Sequence, residues 1–228
     1  MIGAVDMQVT AVDWSALWDE FGSSYVERVT APQERHSLSI EDELLFCLLG
    51  GHGVTFELAR SAAAVLAPLH VFSGEWDTSS LKGVLRSELE TAQFEPLRND
   101  GSLRRYRFPG RKAQLIAQAA EWVGPRRPLF ESLSSLDDER ARRHVLCGCP
   151  GIGLKTASWL LRNVGLAEAL AVVDIHVLRA LTAAGRITAA RLPRDYDAVE
   201  QCFLAWCGEL NAPPAAFDLM LWEWQRSL

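Results

Sequence analysis

No apolar run in this 228-residue sequence approaches the ~20 residues that a membrane-spanning helix needs. No basic segment precedes an apolar one in the opening MIGAVDMQVTAVDW, so that stretch does not read as a signal peptide, and a cytoplasmic location with no membrane partner is expected. The five cysteines, Cys47, Cys147, Cys149, Cys202 and Cys207, are odd in number and lack framework spacing, which predicts free thiols. Internal repeats, low-complexity tracts and convincing two-residue alternation are also missing, and the apolar run 170–173 is too short to argue for a sheet. What is left is a globular chain, 49% hydrophobic and long enough to bury a core as one domain or two small lobes.

The periodicities present are helical. Apolar residues recur at three and four over 13–21, 41–49, 55–66, 111–123, 137–146, 154–164, 174–184, 196–210 and 214–225. The polar stretch 94–110, rich in Arg and Gly, reads as a loop. The fold class is therefore all-α, with about ten helices. The net charge of −6 argues against a nucleic-acid partner, but its distribution does not. Residues 1–97 hold 5 basic and 15 acidic side chains, 98–162 hold 13 and 6, and 163–228 hold 5 and 8. Segment charges of −10, +7 and −3 result, and local charge governs attraction to phosphate. Within the basic block, Arg104, Arg105, Arg107, Arg111 and Lys112 are interleaved with Tyr106 and Phe108, a pattern suited to a nucleic-acid backbone or to a solvated face.

The informative stretch is LCGCPGIGLKTASWLLRNV at 146–164, followed by AVVDIHVLRAL at 171–181. One helix ends near Cys147, Pro150-Gly151-Ile152-Gly153 turns the chain, and a second helix starts at once. The glycines allow a tight hairpin with bare backbone, and the amides opening the second helix can hold a phosphate. Ile152 would anchor the hairpin to the core. Such a grip binds DNA without reading its sequence. Lys155 falls in the first turn of the second helix, where the helix dipole disfavours a cation. A nucleophilic lysine must lose its proton first, and a positive potential favours that loss. Asp174 opens the next helix as its expected N-cap, a position that would hold a carboxylate rigidly.

These segments resemble the helix-hairpin-helix motif and the Asp that follows it in the DNA glycosylase superfamily, in particular the small prokaryotic 8-oxoguanine DNA glycosylase/lyases. EDELLFCLLG, YRFPGRKAQLI and FDLMLW resemble further segments of that group, so the likeness runs from about 41 to 222. The resemblance implies a glycosylase with AP lyase activity that acts on double-stranded DNA as a monomer. It flips out a modified purine, 8-oxoguanine above all, and excises it through a Schiff base. Lys155 matches the lysine that attacks C1′ of the sugar, and Asp174 the aspartate that assists it. Gly151, Ile152 and Gly153 match the phosphate-binding hairpin, with Arg111 and Lys112 as further backbone contacts. The base pocket or wedge would draw on His52, Asp218, Trp222 and Trp159. Two helical lobes are implied, 41–164 with the hairpin motif at 137–164, and 1–40 plus 165–228, with a DNA-binding cleft between them.

No cofactor is implied for the chemistry, a monovalent cation on the hairpin carbonyls is, and an iron–sulfur cluster is not, since only Cys202 and Cys207 lie near the C-terminus. The sequence departs from the pattern at three places. GGHG stands where Asn or Gln often fills the gap left by the flipped base, Trp159 stands where His is common, and the chain ends WQRSL without a lysine-rich tail. Two alternatives stay open on the sequence: a glycosylase for another damaged or modified base, and a non-catalytic DNA-binding module.

Overall fold

The computed structural model describes residues 12–30, 39–51 and 53–227. Eleven α-helices occupy them: α1 (Trp14–Thr30), α2 (Ile40–Leu49), α3 (Phe56–Leu66), α4 (Thr78–Glu90), α5 (Pro109–Val123), α6 (Arg127–Glu131), α7 (Glu139–Cys147), α8 (Leu154–Asn163), α9 (Ile175–Ala183), α10 (Tyr196–Glu209) and α11 (Pro214–Ser227). Among the described residues there is no strand, and one isolated antiparallel bridge joins Phe94 to Arg104. The chain divides into two compact units, Met1–Pro32 with Glu168–Leu228, and Gln33–Ala167.

The helices begin where short polar side chains can satisfy first-turn amides. Ser39, Thr55, Asp77, Asp138 and Asp174 each cap the helix that follows. In the unit formed by 33–167, α4 packs on α5, and α7 pairs with α8. The stripe that α4 buries is Leu81, Leu85 and Leu89, each no more than 1% exposed. The sequence reading placed no helix there. Serines and Gly83 dilute the segment, so only the four-residue leucine spacing and the Asp77 cap announced it. The first helix was expected over 13–21 and runs on to Thr30. Its second half buries little beyond Gly22, so periodicity carried no signal there.

In the other unit, α1 packs on α11, and Phe217 of α11 is the aromatic hub. It meets Trp18 edge-on at 5.5 Å, Trp206 edge-on at 4.9 Å and Phe203 in a stack at 5.6 Å. Offset and edge-to-face contacts of this kind fix a core beyond what area burial alone achieves. Arg28 of α1 also pairs with Glu223 of α11.

Candidate DNA-binding hairpin and acidic cap

The hairpin joins α7 to α8. Asp138 Oδ1 and Oδ2 accept the amides of Arg140 and Ala141, so the start of α7 is closed by a side chain. The start of α8 is different: its N-cap is Gly153, which has no side chain to offer the first-turn amides. A Cβ at Gly153 would meet nothing within 4 Å, so the approach to this helix end is open. Ile152 is buried at 5% exposure, while Gly151 and Gly153 on either side of it are exposed. The buried Arg143 of α7 donates to Ser158 of α8 at 3.2 Å, which fixes the two helices to each other. Lys155 lies in the first turn of α8 with its side chain exposed. Cys149, which precedes the turn, is 2% exposed, and burial pushes its thiol up to about 12.

Gly151 has φ +88, a left-handed conformation, and a Cβ there would come within 2.7 Å of the Leu115 side chain. Gly151→Ala is expected to cost about 1–2 kcal/mol, the strain of a side chain in this region. Urea denaturation measures it, and an unchanged midpoint would show that the hairpin relaxes freely.

The loop between α2 and α3 is held by the basic segment rather than the reverse. Lys112 of α5 donates its ammonium to the carbonyl oxygens of Leu48 and Gly50, Tyr106 donates to Leu49, and Arg107 donates to Gly53 at 2.7 Å. Orphan carbonyls at the end of α2 are thereby satisfied by side chains, a role in which cations suit a helix C-terminus. Lys112, expected on a phosphate, therefore directs its Nζ to the protein's own backbone. Arg104 does likewise, donating to Pro96 at 2.6 Å and Leu97 at 3.1 Å. Arg105 and Arg111 remain exposed, which leaves Arg111 placed for an external anion. Trp159 of α8 packs edge-on against Phe46 of α2 at 5.3 Å and lies beside Gly50. His52 lies outside the described residues.

Burial, with a smaller contribution from Arg111, lowers the Lys112 ammonium from the usual 10.5 to about 8. The folded-state value lies below the unfolded one. The penalty on the charged form therefore acts fully below about pH 8 and is relieved as pH rises toward 10.5. Against a Lys112→Met variant, wild type is expected to gain stability between pH 8 and 10. Paired urea titrations across that range check the sign, and a wild-type advantage that shrinks instead would mean that folding favours the ammonium.

In the unit containing α9–α11, Asp174 is half-buried and caps α9. Its Oδ1 accepts the amides of His176 at 2.8 Å and Val177 at 3.2 Å. The non-helical segment leading to it is held by side chains. Ala171 N–H donates to Glu200 at 3.3 Å, Val172 N–H to Asp218 at 3.3 Å and Val173 N–H to Tyr196 at 3.2 Å. The Tyr196 hydroxyl in turn donates to the Ala171 carbonyl at 2.9 Å. Sequence reasoning missed Tyr196 and Glu200. The available signal was Glu200 itself, an acid on the stripe of α10 otherwise formed by Tyr196, Val199, Phe203, Trp206 and Cys207. Asp218, expected near a base, is buried with one oxygen on the Val172 amide. Trp222 is half-buried, and the Arg226 guanidinium lies over its ring at 4.4 Å.

The sequence model of the 8-oxoguanine DNA glycosylase family matches residues 78–212, which include the hairpin, Lys155 and Asp174. The chain belongs to this family. The 8-oxoguanine DNA glycosylase/AP lyase of Saccharolobus solfataricus is 33% identical over 144 residues, covering 60% of this chain and 68% of that relative. The relative of the same name from Thermotoga maritima is 31% identical over 146 residues, covering 62% and 65%. The match thus spans about two thirds of the length of each. The crystal structure of Methanocaldococcus jannaschii 8-oxoguanine DNA glycosylase aligns with TM-score 0.67 at 21% identity, over 94% of this chain and 92% of that one. The Methanocaldococcus jannaschii 8-oxoguanine glycosylase/lyase in complex with a 15mer DNA containing 8-oxoguanine aligns with TM-score 0.62 at 19% identity, over 95% and 93%. This 8-oxoguanine glycosylase family member therefore shares their helical fold. No helix among its described residues is long and apolar enough to cross a membrane.

Proposed function

We propose that this chain is a DNA glycosylase with AP lyase activity that excises 8-oxoguanine from double-stranded DNA. The observation that carries the reading is a family match that includes a hairpin whose second helix opens on Gly153, with Lys155 exposed in the first turn. The exposed amides of this helix end suit a DNA phosphate. Backbone contacts of that kind fix register without reading sequence, so lesion choice rests on a base turned out of the stack.

Lys155 attacks C1′ of the damaged nucleotide as the neutral amine. The C1′–N bond to the base breaks, its electron pair leaves with the base, and the base takes up a proton. Opening of the sugar ring yields a Schiff base between Lys155 and C1′. Loss of a C2′ proton then expels the 3′ phosphate by β-elimination. Asp174 is the acidic partner that assists the amine and stabilises positive charge on the sugar, while also capping α9. Arg111 supplies a backbone contact, and Trp159, His52 and Trp222 the surroundings of the displaced base. A cation on the hairpin would be a monovalent one held by main-chain carbonyls, as the family resemblance implies. It would help seat the phosphate and take no part in the bond changes. The chain acts as a monomer in the cytoplasm on this reading.

Incubation with an 8-oxoguanine duplex is expected to release the free base, nick the strand and leave an adduct trappable by borohydride. Folded protein that binds the duplex but releases no base would leave a DNA-binding module. Release of another modified base in preference would move the substrate, not the mechanism.

A further inference from the structure

We propose that Tyr196, Glu200 and Asp218 are positioning residues for Asp174, holding by its backbone the non-helical segment that delivers the carboxylate. The inference rests on the role proposed for Asp174 above. Residues 171–173 lie outside any helix, and Ala171 and Val173 are buried. A buried segment outside helix and sheet leaves amides to be satisfied by other means, since an unpaired buried N–H is costly. Here three successive amides are each taken by a different side chain: Glu200 and Tyr196 from α10, and Asp218 from α11. Tyr196 acts twice, accepting from Val173 and donating to Ala171.

The chemistry of this arrangement is unusual for a part that only supports the core. Glu200 is 1% exposed and Asp218 is 7% exposed, and a buried carboxylate is expensive unless it is well bonded. An apolar contact would stabilise the unit at lower cost. What the acids add is direction: each fixes one peptide plane of the approach to Asp174. The Asp174 carboxylate is then fixed from the other side, by the two amides of α9 that it caps. The carboxylate is thus located by hydrogen bonds to backbone both before and after it. This also reassigns Asp218, whose Val172 bond gives it a use other than contact with a base.

The test measures single-turnover excision of 8-oxoguanine, duplex affinity and melting temperature on the full chain. Tyr196→Phe removes two backbone bonds and Asp218→Ala one, and each is expected to slow excision about 10- to 100-fold, the scale of a small misplacement of a reacting group. Duplex affinity should stay as in wild type. Glu200→Gln and Asp218→Asn keep an acceptor oxygen and should retain most of the rate. Trp18→Leu, a core change on α1, serves as the control for stability. It lowers the melting temperature but should leave the excision rate of the folded fraction intact. If Tyr196→Phe and Asp218→Ala lose no more rate than Trp18→Leu at equal loss of stability, the positioning role is overturned. If Asp218→Asn is as slow as Asp218→Ala, the carboxylate itself is needed and Asp218 is no longer a positioning residue. An Asp174→Asn variant with the wild-type rate would instead overturn the underlying reading of Asp174, an outcome distinct from both.

Discussion

Lys155→Gln is expected to abolish the borohydride-trapped adduct and to slow base excision by about 10³-fold or more, the scale on which removing one member of a covalent catalytic unit acts. Glutamine has a comparable reach and places no nitrogen nucleophile in the first turn of α8. Lys155 is exposed, so its replacement disturbs no core packing. Removing a cation from a helix N-terminus is, if anything, favourable to the helix. Melting temperature should therefore hold, and so should most of the duplex affinity, because on the proposed reading the hairpin grips through backbone amides. The measurement pairs trapping on abasic and 8-oxoguanine duplexes with a binding titration. An adduct that survives the substitution would place the nucleophile elsewhere in the chain. Loss of binding together with loss of the adduct would make Lys155 a phosphate contact.

The second large effect belongs to Asp174. Asp174→Asn keeps a side-chain oxygen for the His176 and Val177 amides, and asparagine caps a helix about as well as aspartate. The substitution thus separates the two tasks of this residue. The cap persists while the negative charge goes. Excision is expected to fall by about 10²–10⁴-fold, the range for losing a general base or an electrostatic stabiliser. The melting temperature should change little. Single-turnover kinetics with a parallel thermal melt checks both halves. A wild-type rate would leave Asp174 as a cap alone, and a large drop in stability would mean that asparagine does not reproduce the cap.

Much of this was legible in the sequence wherever a residue's local context settles its place. The hairpin was readable from Pro150, Gly151, Ile152 and Gly153, because turn chemistry and the start of an amphipathic helix are local properties. The cap at Asp174 was readable for the same reason. Lys112 was not. A lysine beside Arg111 in a basic run looks like a solvated cation, and nothing local says that Leu48 and Gly50, more than sixty positions earlier, present their carbonyls to it. Tyr196 and Glu200 escaped notice for a related reason. Their partners are main-chain amides of residues 171–173, and a backbone amide leaves no mark in the residue types. Helix α4 was lost to its serines and Gly83, although three leucines at four-residue spacing were present.

An enzyme that removes oxidised bases works where oxidants are abundant, and its own sulfur is exposed to the same chemistry. Peroxide reacts with the thiolate, not the thiol. Cys149 sits at the turn that would grip DNA, buried and held up at about 12, so almost none of it is ionised at neutral pH. Cys47 in α2 and Cys207 in α10 are also buried, and burial raises both. The hairpin thus carries a thiol kept protonated by burial, on the residue whose carbonyl accepts the Ile152 amide. Protection of this thiol from oxidation is in this way a consequence of its burial.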